Sequence, residues 1–248
     1  MLQAENSADR NMNHADGQPG QGSLKKALMA VALVLVGVGV FFVRARSEAD
    51  LRRRGMADPE AKKHLVTDAM TEKAKQQELK PAPEFDLTDP VSGKQISLKQ
   101  LAGEKPVVVY FIKEGCPCSQ TYEPFIQEFA SNYADVTHVV GIIDGDADTA
   151  RRWSSRYVNR YPIANDPTNA TMIRWGATNS AFTALVDQQG KLVAYWPGYS
   201  RWMLEEMSQK LAELAGVPRR RLAVLDAPSQ LYTGCSFGEE DPSEIVRK

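Results

Sequence analysis

The sequence predicts an α/β protein: a three-layer sandwich of helices around a mixed sheet, carried behind an N-terminal transmembrane helix and a helical stalk. Three observations lead there. The stretch Ala27–Val43, ALMAVALVLVGVGVFFV, contains no charge. Pro106–Ile112 (PVVVYFI) and Val136–Ile143 are near-continuous apolar runs, the pattern of strands buried on both faces. Each run is followed by a helical stretch, and the two units then give way to an antiparallel hairpin and a last helix, the element order of an α/β sandwich.

Residues 1–26 are expected to be disordered, because Met1–Ser23 is rich in Asn, Gln, Gly, Asp and Ser and has too little apolar surface to offset the entropy of ordering. The apolar stretch at residues 27–43 lies between Lys25 and Lys26 on one side and Arg44 and Arg46 on the other. As a helix it spans roughly 25 Å, just short of a hydrocarbon core of about 30 Å, with the flanking cations able to snorkel. A single uncleaved span fits the long polar leader. The alternatives are a buried core helix and a cleaved signal peptide, for which Val43-Arg44-Ala45 resembles a processing site. More basic residues follow the span (Arg44, Arg46, Arg52, Arg53, Arg54, Lys62, Lys63) than precede it (Arg10, Lys25, Lys26), which favours a cytoplasmic domain, although long domains translocate largely regardless of charge.

Residues 44–80 read as the stalk. Asp58-Pro59-Glu60 offers a cap, a proline for the first helical position and an early acid; Ala61, Leu65, Ala69 and Val66, Met70, Ala74 then follow at four-residue steps. Pro81 and Pro83 end it and open a compact domain at 81–216. Phe85, Leu87 and then Ile96, Leu98 and Leu101, around Asp89-Pro90-Val91-Ser92-Gly93, suggest a short hairpin. After PVVVYFI a helix should start near Cys118 and carry Tyr122, Phe125, Ile126 and Phe129 inward. Ala147–Tyr157 is the second helix, Ala184–Asp187 and Leu192–Trp196 form a hairpin around Gln188–Lys191, and Trp202–Leu214 is the closing amphipathic helix. Trp153, Trp175, Trp196 and Trp202 read as packing residues. Arg219-Arg220-Arg221 opens a C-terminal extension, residues 217–248, without a readable element.

The chain has 30 basic and 31 acidic residues, so no basic excess points to nucleic acid. Three cysteines are too few for a disulfide scaffold, and Cys116 and Cys118 flank a single proline, Pro117. They fall where the first buried strand ends and the next helix begins. A thiol there meets unpaired backbone N–H groups and the positive end of a helix dipole, which lower its pKa and expose the thiolate. Lys113 would assist, Glu114 would oppose, and Pro117 stiffens the turn. The strand-to-helix loop is expected to leave the Cys116 sulfur partly exposed and Cys118 more enclosed by Tyr122 and Phe125.

The run Pro106–Pro124, PVVVYFIKEGCPCSQTYEP, resembles the active-site segment of redoxins, the thioredoxin-like proteins grouped with the alkyl hydroperoxide reductase and thiol-specific antioxidant (AhpC/TSA) superfamily. Asn165-Asp166-Pro167 through Arg174-Trp175-Gly176, and Phe182–Asp187, resemble that family's later helix and strand. The resemblance implies a thioredoxin-like sandwich, thiol–disulfide or peroxidase activity, and a domain on the extracytoplasmic side. It places the nucleophile at Cys116. The second cysteine of the usual C-x-x-C falls on Ser119, leaving Cys118 as an out-of-register partner. The hydroxyl and proline that orient peroxide in peroxiredoxins meet Lys113 and Val109, so peroxidase activity of that kind is not expected. The cis-proline position beside the active site falls on Ala181.

A membrane-tethered thiol–disulfide oxidoreductase is therefore expected, with Cys116 attacking and Cys118 resolving. Its partners would be protein thiols and disulfides or a small thiol or hydroperoxide, and no cofactor or metal is called for. Cys235 could resolve instead if the tail brings it close. Two alternatives stay open: a redox-inactive interaction module, and a copper-handling protein using two thiolates. A zinc site would need Cys235 and His138 to converge on the pair.

Overall fold

The computed structural model describes residues 64–238. The polar leader, the apolar stretch 27–43, most of the expected stalk and the last residues of the extension lie outside them. Among the described residues no helix is long and apolar enough to cross a membrane.

The elements are α1 (Asp68–Lys75), β1 (Asp86–Thr88), β2 (Gln95–Ser97), α2 (Leu98–Glu104), β3 (Val107–Ile112), α3 (Pro117–Asn132), β4 (His138–Asp144), α4 (Ala147–Tyr157), β5 (Ile163–Asp166), α5 (Ala170–Trp175), β6 (Thr183–Val186), β7 (Leu192–Trp196) and α6 (Arg201–Ala215). The main sheet has the order β5-β4-β3-β6-β7, with β3, β4 and β5 parallel and β6 and β7 antiparallel. All six residues of β3 are buried, as its unbroken apolar run requires. Val108, Tyr110 and Ile112 face one core layer with Phe125, Phe129, Trp153 and Leu204 from α3, α4 and α6. Val107, Val109 and Phe111 face the other, with Ala74, Leu98 and Trp175 from α1, α2 and α5. The three-layer sandwich is confirmed.

The predicted hairpin around residues 89–93 is the separate pair β1-β2, with Leu87 opposite Ile96. Its turn is tied by Asp89, whose carboxylate accepts from the Val91 N–H at 2.9 Å and the Ser92 hydroxyl at 2.6 Å. Leu98 and Leu101 leave the hairpin and enter α2, because Ser97 caps a helix there through the Gln100 N–H. Strand β5 has no counterpart in the sequence reading; it is four residues long and half polar.

The stalk reading needs correction where it can be compared. Leu65 and Val66 are not helical: Leu65 bridges Tyr232, and the Val66 N–H donates to the Leu231 carbonyl at 2.9 Å. The helix begins only at the Thr67 cap, and after it the chain pairs with the start of β7, Leu79 N–H donating to the Leu192 carbonyl and Leu192 N–H to that of Lys80. Ala74 lies in the core. Four-residue spacing of small apolar residues matched a helix, but the extended backbone finds hydrogen-bond partners in the tail that the spacing cannot reveal.

Residues 217–238 fold back over the domain. The Arg220 guanidinium pairs with Asp135, and the Arg220 backbone N–H donates to the Tyr133 hydroxyl at 2.8 Å. Tyr199 and Tyr232 exchange backbone bonds of 2.7 and 3.0 Å. From there the tail runs beside residues 178–180, with Gly234 N–H to Ser180 O at 2.8 Å, Ser180 N–H to Cys235 O at 3.0 Å and Phe237 N–H to Thr178 O at 3.0 Å.

Candidate functional site

Cys116 caps α3 with extended backbone, and Pro117 supplies the first helical residue, where its missing N–H costs nothing. The loop from β3 turns through Gly115, at φ 79°, a conformation open to glycine without strain. Both cysteines thus stand at the helix start, as the sequence argument required.

The expectation of partial exposure fails. Cys116 is 2% exposed, less than Cys118 at 4%. The cover is the tail: the Cys235 backbone N–H donates to the Cys116 sulfur at 3.1 Å, and Cys235 is itself buried. From the other side the Ser180 hydroxyl donates to the same sulfur at 3.3 Å. The Cys116 thiol is held far below its usual value. The largest cause is hydrogen bonding from Cys118, followed by that from Cys235; burial opposes them, and Ser180 adds to them. The Ser119 N–H contributes least, turned toward the sulfur without closing a capping bond. Donors outweigh desolvation, so the site favours a thiolate inside the protein.

The supporting residues take other places than expected. The Lys113 ammonium donates to the Ser236 carbonyl at 2.8 Å, clamping the tail rather than facing the thiolate. Ser119 is buried; its hydroxyl accepts from the Lys113 N–H at 3.2 Å and its carbonyl from the Tyr110 hydroxyl at 3.0 Å. Ala181 has φ 64° and donates its N–H to Phe111 at 2.8 Å, a left-handed turn that delivers Ser180 to Cys116. The Glu114 carboxylate is held in a fork by Arg152, at 3.1 and 2.9 Å. Tyr122 stacks on Tyr199 beneath the cysteines, with ring centroids 4.6 Å apart.

The zinc alternative loses a ligand. His138 opens β4 opposite Val107, at the far end of β3 from Cys116, and pairs with Glu104 at 3.1 Å. Among the described residues no group of three or more His, Cys, Asp or Glu is placed to hold a metal ion.

Two groups near the thiol escaped the sequence reading. Ser180 stands one residue before the position singled out. Asp144, at the end of β4, accepts from the Glu114 N–H at 2.9 Å, and burial pushes its carboxyl up to about 6; that N–H and Lys113 pull it down, while Glu114 and Cys116 raise it further. A carbon-detected NMR titration is expected to find the Asp144 midpoint near 6, and lower in Cys116→Ser. Since the folded value exceeds the ordinary 3.8, this carboxyl favours folding when protonated: its contribution is full below 3.8 and is lost as pH rises through about 6.

Gly198 and Gly234 make room for the tail. A Cβ on Gly198 would collide with the Tyr232 carbonyl, and one on Gly234 with the side chain and backbone of Ser180. Gly234→Ala is expected to lift the tail and speed alkylation of Cys116 by at least about tenfold, the ratio set by roughly 1.4 kcal/mol of lost docking. An unchanged rate would show that the tail does not gate access.

The family model described as "AhpC/TSA family" matches residues 79–196. None of the curated proteins matches the chain. Solved structures are similar in fold. An uncharacterized conserved protein from Geobacillus kaustophilus aligns with TM-score 0.52 at 19% identity, covering 66% of this chain and 92% of its own. A Chlorobium tepidum protein provisionally named thiol:disulfide interchange protein DsbE aligns with TM-score 0.52 at 20% identity, covering 56% of this chain and 98% of its own. A hypothetical protein from Sinorhizobium meliloti 1021 aligns with TM-score 0.51 at 20% identity, covering 64% of this chain and 93% of its own.

Proposed function

We propose, from the match of residues 79–196 to the AhpC/TSA family model and from the thioredoxin-like fold, that the protein is a thiol–disulfide oxidoreductase whose nucleophile is Cys116, held at a membrane by Ala27–Val43. The observation that carries the reading is the Cys116 sulfur at the start of α3 with donors from Ser180 and Cys235 converging on it. A thiolate so held attacks one sulfur of a disulfide, joins to it, and releases the other half as a thiol. The substrates are then protein disulfides or small disulfides. Peroxide reduction fits less well, because Lys113 stands where peroxiredoxins carry a hydroxyl and its ammonium is engaged by Ser236.

The test is turnover by the full-length protein: dithiothreitol-driven insulin reduction is expected, with hydroperoxide consumption no faster than by free cysteine. A second reading, a redox-inactive interaction module, draws on the near-complete burial of Cys116. Iodoacetamide rates against pH separate the two. A Cys116 that alkylates no faster than Cys235, with a midpoint at or above the ordinary 9.0, would leave only the module. For the anchor, alkaline carbonate should leave the protein with the membranes, and its release into the supernatant would remove that part.

A further inference from the structure

The tail brings a third cysteine to a sulfur that already has a neighbour in sequence. Cys118, two residues on in the first turn of α3, already donates a hydrogen bond to the Cys116 sulfur, but only the rigid Pro117 separates the two. A disulfide needs Cβ atoms about 3.8 Å apart and a torsion near 90°, so joining these two would distort the helix start that makes the thiolate. Cys235 arrives across the site on its own strand-like segment. It is aligned by the exchanged bonds with Ser180, pinned by Lys113 on Ser236, and separated from the Cys116 sulfur by one hydrogen bond from its own backbone.

We propose that Cys235, and not Cys118, is the disulfide partner of Cys116, delivered by the docked segment Thr233–Phe237. The proposal rests on the oxidoreductase reading for its substrate. The Cys116 thiolate attacks a disulfide RSSR′, forming Cys116–S–S–R and releasing R′S⁻, which takes up a proton. The Cys235 thiol, giving up its proton, attacks the Cys116 sulfur and expels RS⁻, which is protonated in turn. Two cysteines are oxidised and RSSR′ is reduced to RSH and R′SH. The segment moves aside to admit RSSR′ and resolves when it redocks; Cys118 remains a hydrogen-bond donor to the thiolate.

The experiment treats full-length protein with 5,5′-dithiobis(2-nitrobenzoate) and maps the products by peptide mass spectrometry, in wild type, C235S and C118S. Wild type is expected to carry a Cys116–Cys235 link. C235S should stop at the mixed disulfide on Cys116, and C118S should still form the link. A Cys116–Cys118 link in wild type, or a mixed disulfide that persists in C118S but clears in C235S, overturns the proposal. The wild-type map stands even if C235S does not fold. A Cys116–Cys235 link without insulin reduction would remove the oxidoreductase reading and keep the pairing. Cys116 modified but resolved by Cys118 would do the reverse. Cys116 unreactive in every variant would remove both.

Discussion

Cys116→Ser is expected to slow disulfide reduction by at least about a thousandfold, on the order of 4 kcal/mol of transition-state stabilisation. Four donors surround this sulfur, and all of them favour a charge that a serine hydroxyl does not carry at neutral pH. Cys118→Ser should fall less, by roughly tenfold, since it alters one donor and leaves the nucleophile. The substitution also tests linkage. The folded thiol gives up its proton more readily than the unfolded one, so its stabilising contribution grows with pH up to the ordinary 9.0 and is lost as pH falls toward the depressed folded value. The stability difference between wild type and Cys116→Ser should therefore widen from pH 6 to pH 9. Parallel stability curves across that range, measured by urea titration, would mean that the thiolate gains nothing from the fold.

Glu123→Ala is the second large effect, and it falls on stability. Glu123 is fully buried in α3, and its carboxyl accepts from Trp153 Nε1 at 3.2 Å, the Tyr161 hydroxyl at 2.7 Å, Gln127 Nε2 at 2.9 Å and the Asn159 amide. Trp153 and Tyr161 are themselves buried, so truncation leaves two donors in the core without an acceptor, at about 1–3 kcal/mol each, and a cavity besides. A loss of about 4 kcal/mol follows, which lowers Tm by about 10 °C for a domain of this size. Burial raises the Glu123 carboxyl above its usual 4.5, against the pull of its four partners. The folded state thus prefers the protonated acid: that contribution is complete below 4.5 and declines as pH rises through the raised folded value. Glu123→Gln, which keeps an acceptor and cannot ionise, should recover part of the stability and flatten the slope. Calorimetry showing Glu123→Ala within 1 kcal/mol of wild type would mean that the four donors find water instead.

The legible parts were those whose burial is written into the local pattern. PVVVYFI could only be a strand covered on both faces, and the hairpin β6-β7 carries its own turn. The start of α3 was readable from Pro117 together with the apolar spacing of Tyr122, Phe125, Ile126 and Phe129. Cys116 and Cys118 were singled out by that location, and the family resemblance pointed to Cys116 of the two. What covers it was not legible, because the bonds from Gly234, Cys235 and Phe237 to residues 178–180 run through backbone groups that every residue has. Ser180 was missed for a related reason: Ala181 was counted back from the strand, and only its left-handed backbone shows that the neighbouring side chain reaches the thiol.

The cover over Cys116 also sets an order of events during synthesis. Chains emerge at about 5–20 residues per second and fold from the N-terminal side. Every strand of the main sheet and all six α-helices of the described residues lie before residue 216, whereas Cys235 and the segment that pins it come later. The sandwich can close with Cys116 open to the surroundings for a few seconds before residues 231–237 leave the ribosome. Residues 64–66, whose partners are in the same tail, wait equally long. The nascent protein thus passes through a stage in which the Cys116 sulfur is uncovered and still lacks the donors that Cys235 brings, and a compartment rich in small disulfides would meet it then, before Cys235 arrives.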